Sequence, residues 1–157
     1  MNKRYILLLA VMFMGNGFGQ YLTYQELIGM LKVADDAVKV DEYLTKRGFE
    51  YSESVNDGEH RYSAYKKIVG NYVYNAGIYK DGNGYVAVTE ESADVGRWKY
   101  FKNVVNGFGY EQKHTQSKEE GELVIHFQNK DYSINMRRTR PGIHNSYLIS
   151  LSKLKKD

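Results

Sequence analysis

The sequence predicts an α+β fold: a tandem repeat of a helix (or helix hairpin) followed by about four antiparallel strands, helices packed on one face of the sheet. Three observations predict it. Each half opens on an amphipathic helical pattern, and alternating apolar runs bounded by turn residues follow. A junction, Gly48-Phe49-Glu50-Tyr51, returns 59 positions later as Gly107-Phe108-Gly109-Tyr110.

The first helix starts at Leu22-Thr23-Tyr24-Gln25-Glu26-Leu27. Thr23 can cap the first-turn amides, Glu26 can reach back in a capping box, and Leu22 with Leu27 forms a hydrophobic staple. Tyr24, Leu27, Ile28 and Leu31 then fall on one face. A second short helix is predicted from about Asp36 to Lys46, with Val40 and Leu44 inward. In the second half a longer helix is predicted to start near Ser92, placing Trp98, Phe101, Val104 and Val105 on one stripe, with Trp98 a core anchor. Gly48 and Gly107 sit where a helix end needs a left-handed residue, and each phenylalanine can fold back onto the last turn.

The strands read by alternation. Leu123, Ile125 and Phe127 share a face, as do Tyr132, Ile134 and Met136, then Tyr147, Ile149 and Leu151; Val86 and Val88 do the same in the first half. Asn56-Asp57-Gly58, Asp81-Gly82-Asn83-Gly84, Asn129-Lys130-Asp131 and Pro141-Gly142 mark reversals. The 59-residue offset also carries the turn at Asp81 onto Arg140-Pro141-Gly142-Ile143. Short connections imply hairpins, hence antiparallel pairing. The repeats are expected over about 20–91 and 92–157, forming a single domain over 20–157, with one sheet face left open to water.

Residues 1–19 read as a signal peptide. Lys3 and Arg4 supply a positive start, Tyr5 to Met14 form an apolar run of ten, and Gly17 and Gly19 are the small residues leading to a cut before Gln20. Spanning hydrocarbon takes about 20 apolar residues, so no transmembrane segment is expected after cleavage. The expected address is the periplasm or the extracellular space. With 22 Lys plus Arg against 19 Asp plus Glu, the net charge is +3; Lys3 and Arg4 leave with the signal, which brings the rest to +1. That charge is interspersed, which argues against nucleic acid as a partner. The chain has no cysteine, so its core must hold without disulfides, and thiolate nucleophiles and zinc–thiolate sites are excluded. An exported chain of this kind suits a bacterial envelope.

The element order and the repeated Gly-Phe-x-Tyr resemble the beta-lactamase-inhibitory-protein architecture, a tandem of helix-hairpin plus four-stranded antiparallel units. They also resemble short secreted envelope proteins of the same layout. The resemblance covers nearly all of residues 20–157 and implies the fold. This chain departs from the inhibitors in lacking cysteine, where those are disulfide-linked.

No catalytic set is legible, and the expectation is a protein that is not an enzyme, without cofactor or metal. His60, His114, His126 and His144 have no partner at metal-ligand spacing on a helix. The adjacent acids Asp35-Asp36, Glu90-Glu91 and Glu119-Glu120 read as helix starts and solvated loops; paired hydrolytic carboxylates must face each other across a cleft. The loop at Asp81 lacks the remaining ligands of a calcium site.

Two surface features are left. The chain has 15 tyrosines, and Tyr62, Tyr65, Tyr72, Tyr74, Tyr79 and Tyr85 lie on consecutive predicted strands, with Tyr65 opposite in parity to Tyr62 and Tyr79 opposite to Tyr72 and Tyr74. Tyr65, Tyr72, Tyr74 and Tyr85 are the candidate partner-binding residues, since exposed tyrosines give large contact area at little entropic cost. Arg137, Arg138 and Arg140 form a candidate basic patch. The function expected is a secreted or periplasmic binding module that engages a protein partner through a tyrosine-rich sheet face. Inhibitor and immunity-type roles are the sharper forms of that reading. The alternatives are a small envelope hydrolase whose site forms only in three dimensions, and a structural envelope component. A shallow aromatic saddle favours binding; a deep pocket collecting histidine and carboxylates favours catalysis.

Overall fold

The computed structural model describes residues 21–117, 121–140 and 145–154. The expected signal peptide, Glu119-Glu120, the Pro141-Gly142 turn and His144 lie outside the described residues.

The described chain is α+β, with three helices and one antiparallel sheet of eight strands. In order these are α1 (Tyr24–Val33), α2 (Ala37–Thr45), β1 (Glu50–Asn56), β2 (His60–Val69), β3 (Tyr72–Asp81), β4 (Val86–Ser92), α3 (Val95–Gly107), β5 (Glu111–Ser117), β6 (Leu123–Gln128), β7 (Tyr132–Thr139) and β8 (Ser146–Lys153). The sheet runs β1-β2-β3-β4-β8-β7-β6-β5, so two four-stranded meanders meet where β4 pairs with β8.

The caps of the first half match their sequence signals. Thr23 accepts the Glu26 amide while the Glu26 side chain accepts the Thr23 amide, closing the capping box over α1. Asp36 accepts the amides of Val38 and Lys39 and starts α2. Gly48 takes φ +79° after it. The second junction differs. Helix α3 is capped by Asp94 and begins at Val95, three residues beyond Ser92, which ends β4. The helix runs through Gly107, and the left-handed residue is Gly109, at φ +67°. Phe49 is consequently buried and Phe108 is half exposed, packed on the Tyr24 ring at 4.6 Å. The Gly-Phe-x-Tyr copies match in letters but not in backbone.

One apolar core gathers Leu27, Met30, Leu44, Trp98 and Phe101 from the helices with Tyr65, Tyr74, Ile78, Val88, Ile134, Met136, Ile149 and Leu151 from the strands. Those strand residues share one face by register: Ile78 pairs with Val88, Val88 with Leu151, and Leu151 with Ile134. Glu90 is on the same face, and it overturns the reading of Glu90-Glu91 as a solvated pair. The two belong to β4 and point to opposite faces. Glu90 is 1% exposed and meets Arg97, 2% exposed, through Nε–Oε1 at 2.5 Å and Nη2–Oε2 at 2.9 Å. Arg97 also donates to the Leu22 carbonyl, and its guanidinium lies against the Tyr21 and Tyr100 rings. Burial pushes the Glu90 carboxyl above its ordinary value, against the pull of Arg97. This bidentate pair ties the segment before α1 to α3 and β4.

Candidate functional site

The second sheet face is built from the other parity of each strand. Cross-strand registry sets its rows. One row runs Tyr62, Tyr79, Ala87, Ser152 and Ser133; the next runs Ala64, Gly77, Thr89, Ser150 and Asn135. Large rings on β2 and β3 therefore stand beside a low floor of glycine, alanine, serine and threonine.

Gly77 decides how Tyr62 lies. Without a Cβ at position 77, the Tyr62 ring passes directly over it, with the phenolic oxygen hydrogen-bonded to Thr89 on the far strand. Burial raises the Tyr62 hydroxyl above its ordinary range, with Glu91 and Glu53 adding to the shift and Thr89 opposing it. Tyr79 packs against Tyr85, ring centres 6.1 Å apart and planes at 61°, and stacks on His60 at 5.8 Å. Its hydroxyl is raised by burial first, then by Asp81 and Asp57.

These side chains enclose an open groove of about 250 Å³, lined by Tyr62, Tyr79, Tyr85, Ala87, Thr89, Glu91, Leu148 and Ser150. Its lining holds one carboxylate and no histidine. Glu91 accepts a hydrogen bond from the Ser146 hydroxyl at 2.6 Å. The geometry is a shallow aromatic saddle.

The structure separates the residues that sequence grouped. Tyr65 is 4% exposed and Tyr74 2%, both in the apolar core, so neither offers contact surface. The reason is parity: Tyr74, Ala76 and Ile78 alternate together, and Tyr65 pairs with Ala76. Tyr74 is also committed inside, donating its hydroxyl to Asp94 at 2.8 Å. Tyr72 is 44% exposed but shares the parity of Tyr74, at the start of β3, where it meets the Tyr74 ring. Tyr85 alone of the four joins the groove. Tyr62 and Tyr79 replace Tyr65 and Tyr74. The signal for that choice was present in the alternation of β3, where the small or apolar residues Ala76 and Ile78, two and four positions after Tyr74, mark the core parity.

The arginines do not make one patch. Arg137 lies on the second face and pairs with Glu122 at 3.1 Å. Arg138 has the opposite parity, half-buried across from Tyr147, and Arg140 lies beyond the end of β7.

Registry also sets His114 opposite His126, whose Nδ1 is 2.7 Å from the Asn135 Oδ1. Among the described residues no group of three or more His, Asp or Glu could hold a metal ion. No helix among them is long and apolar enough to cross a membrane. No family model, curated protein or solved structure matches this chain.

Proposed function

We propose that this chain is an exported, non-enzymatic binding module that engages a protein partner through the second sheet face, with Tyr62, Tyr79 and Tyr85 as its contact. The observation that carries the reading is the groove itself: Tyr62 and Tyr79 paired on adjacent strands, with Tyr85 just before β4, beside a floor of small side chains. Tyrosines on a rigid sheet bring contact area with few rotors to freeze. A shallow groove with a single carboxylate lacks the facing pair of carboxyls that glycoside hydrolysis uses.

The reading includes a duplicated unit whose helices cover one face and leave the other for the partner. The meeting of two four-stranded meanders at β4 and β8 supports it. So does the resemblance to the beta-lactamase-inhibitory-protein architecture, though the shifted backbone at Gly107–Gly109 means that any duplication has diverged. With residues 1–19 taken as an export signal, the partner belongs to the periplasm or the outside of the cell.

The test is affinity capture from envelope and culture fractions with the wild-type chain, a Tyr79→Ala/Tyr85→Ala variant, and Tyr51→Ala as a control. Tyr51 is 53% exposed and belongs to the parity of Tyr65, away from the groove. A protein held by wild type and Tyr51→Ala but lost from the folded double variant supports the reading. The same proteins on all three baits would overturn it.

A further inference from the structure

We propose that the groove is a cation site, and that its occupant is an arginine side chain of the protein partner. This rests on the reading of the second face as a partner-binding surface and adds the chemistry it recognises.

Three features converge. First, the groove wall is aromatic: Tyr62, Tyr79 and Tyr85, the last two inclined to each other at 61°. Tyrosine faces carry negative quadrupole density and attract organic cations, and a planar guanidinium both stacks on them and donates to a carboxylate. Second, a carboxylate lies in the wall. Glu91 has one oxygen engaged by Ser146, at 2.6 Å, and no basic side chain among the described residues shares the groove lining with it. Third, the surroundings are acidic. By register Glu53 stands diagonal to Tyr62, Asp81 lies two positions after Tyr79 on the same face, and Asp57 meets the His60 that stacks on Tyr79. Nearby basic groups have acidic neighbours of their own: His60 meets Asp57 at 3.3 Å, Lys66 stands directly opposite Glu50, and Arg137, opposite Leu148 on the same face, pairs with Glu122 at 3.1 Å.

The remaining contacts fit the aliphatic part of such a side chain. Leu148 and Ala87 give an apolar wall for its methylenes, and Ser150 and Thr89 give hydroxyl acceptors at the floor. The molecule uses the same chemistry elsewhere. Arg47 lies over the Tyr43 ring at 3.6 Å while its Nε meets Glu26 at 3.0 Å.

The test uses n-butylguanidinium, its neutral isostere n-butylurea, and n-butylammonium, titrated into the purified protein while tyrosine ring resonances are followed by NMR. Saturable shifts at Tyr62, Tyr79 and Tyr85 are expected with n-butylguanidinium, and binding at least about tenfold weaker with the urea. Glu91→Gln keeps the shape and should weaken n-butylguanidinium about fivefold or more while leaving the urea unchanged. Equal binding of cation and urea, absence of saturable shifts, or shifts centred on Tyr51 and Tyr72 would overturn the proposal. Binding of n-butylammonium as tight as that of n-butylguanidinium would overturn the arginine assignment. A partner captured through Tyr79 and Tyr85 with no cation preference in the groove would sink this inference alone and leave the binding-module reading standing.

Discussion

Tyr62 lies across Gly77. A Cβ at position 77 would come 2.5 Å from the phenolic oxygen and 2.6 Å from Cε2, too close for either atom to stay. One missing side chain on β3 thus lets a ring from β2 reach β4 and close one side of the groove. Gly77→Ala should displace Tyr62 from Thr89 and lower stability by about 1–3 kcal/mol, as overpacking does. Urea midpoints, read beside the Tyr62 ring resonances, check this. An unchanged ring with unchanged stability would mean that Gly77 does not set the groove.

The Glu90–Arg97 pair carries a different consequence. Both groups are nearly inaccessible, so Arg97→Met strips the buried carboxylate of its guanidinium, leaving it the Leu22 amide, and takes the Arg97 donor from the Leu22 carbonyl. A loss of about 3–5 kcal/mol is expected. Glu90→Leu/Arg97→Met should recover much of that loss, because the unpaired charge goes with its partner. Denaturant unfolding of both variants reads the difference.

Glycine at the second junction reverses in sign over two positions. Gly107 ends α3 without a left-handed φ and with open space where a Cβ would stand; Gly109 is at φ +67°. Gly107→Ala should therefore raise stability by about 0.5–1 kcal/mol, and Gly109→Ala should lower it by about 1 kcal/mol. Paired thermal or urea midpoints settle it.

Acid should weaken the α1 start. Burial of Glu26 would raise its carboxyl, but hydrogen bonds from Thr23 and the Arg47 side chain outweigh it and hold the group below its ordinary value. A carboxyl lowered on folding adds stability that is complete above its unfolded value and is lost as pH falls through the folded one. Glu26→Gln should therefore be less stable at neutral pH and should lose less between about pH 6 and pH 3 than the wild type. Parallel stability–pH curves test it; identical slopes would exclude Glu26 as a contributor.

The candidate site was half legible. Alternation divides the tyrosines of β2 and β3 into two sets, and Ala76 and Ile78 beyond Tyr74 point to the buried one. Tyrosine obscures the choice, because its ring suits a core and its hydroxyl suits water: Tyr74 satisfies both by donating to Asp94 from inside. Glu90 was illegible for a related reason. Its burial depends on an arginine seven residues later, delivered across a strand-to-helix turn that composition does not reveal.

What sequence alone determined is what acts over a few residues: the capping box at Thr23 and Glu26, the Asp36 cap, the turns at Asn56, Asp81 and Asn129, and the alternation of the last three strands. Each is a local balance of backbone hydrogen bonds, steric freedom and side-chain period, complete within about one helical turn or one hairpin. Tertiary structure decided the rest. The joining of β4 to β8, the parity that buries Tyr65 and Tyr74, and the rows that set Tyr62 over Gly77 all follow from registry between strands. Registry is fixed by the packing of one whole face, so a site made on the other face comes into being only when the core does.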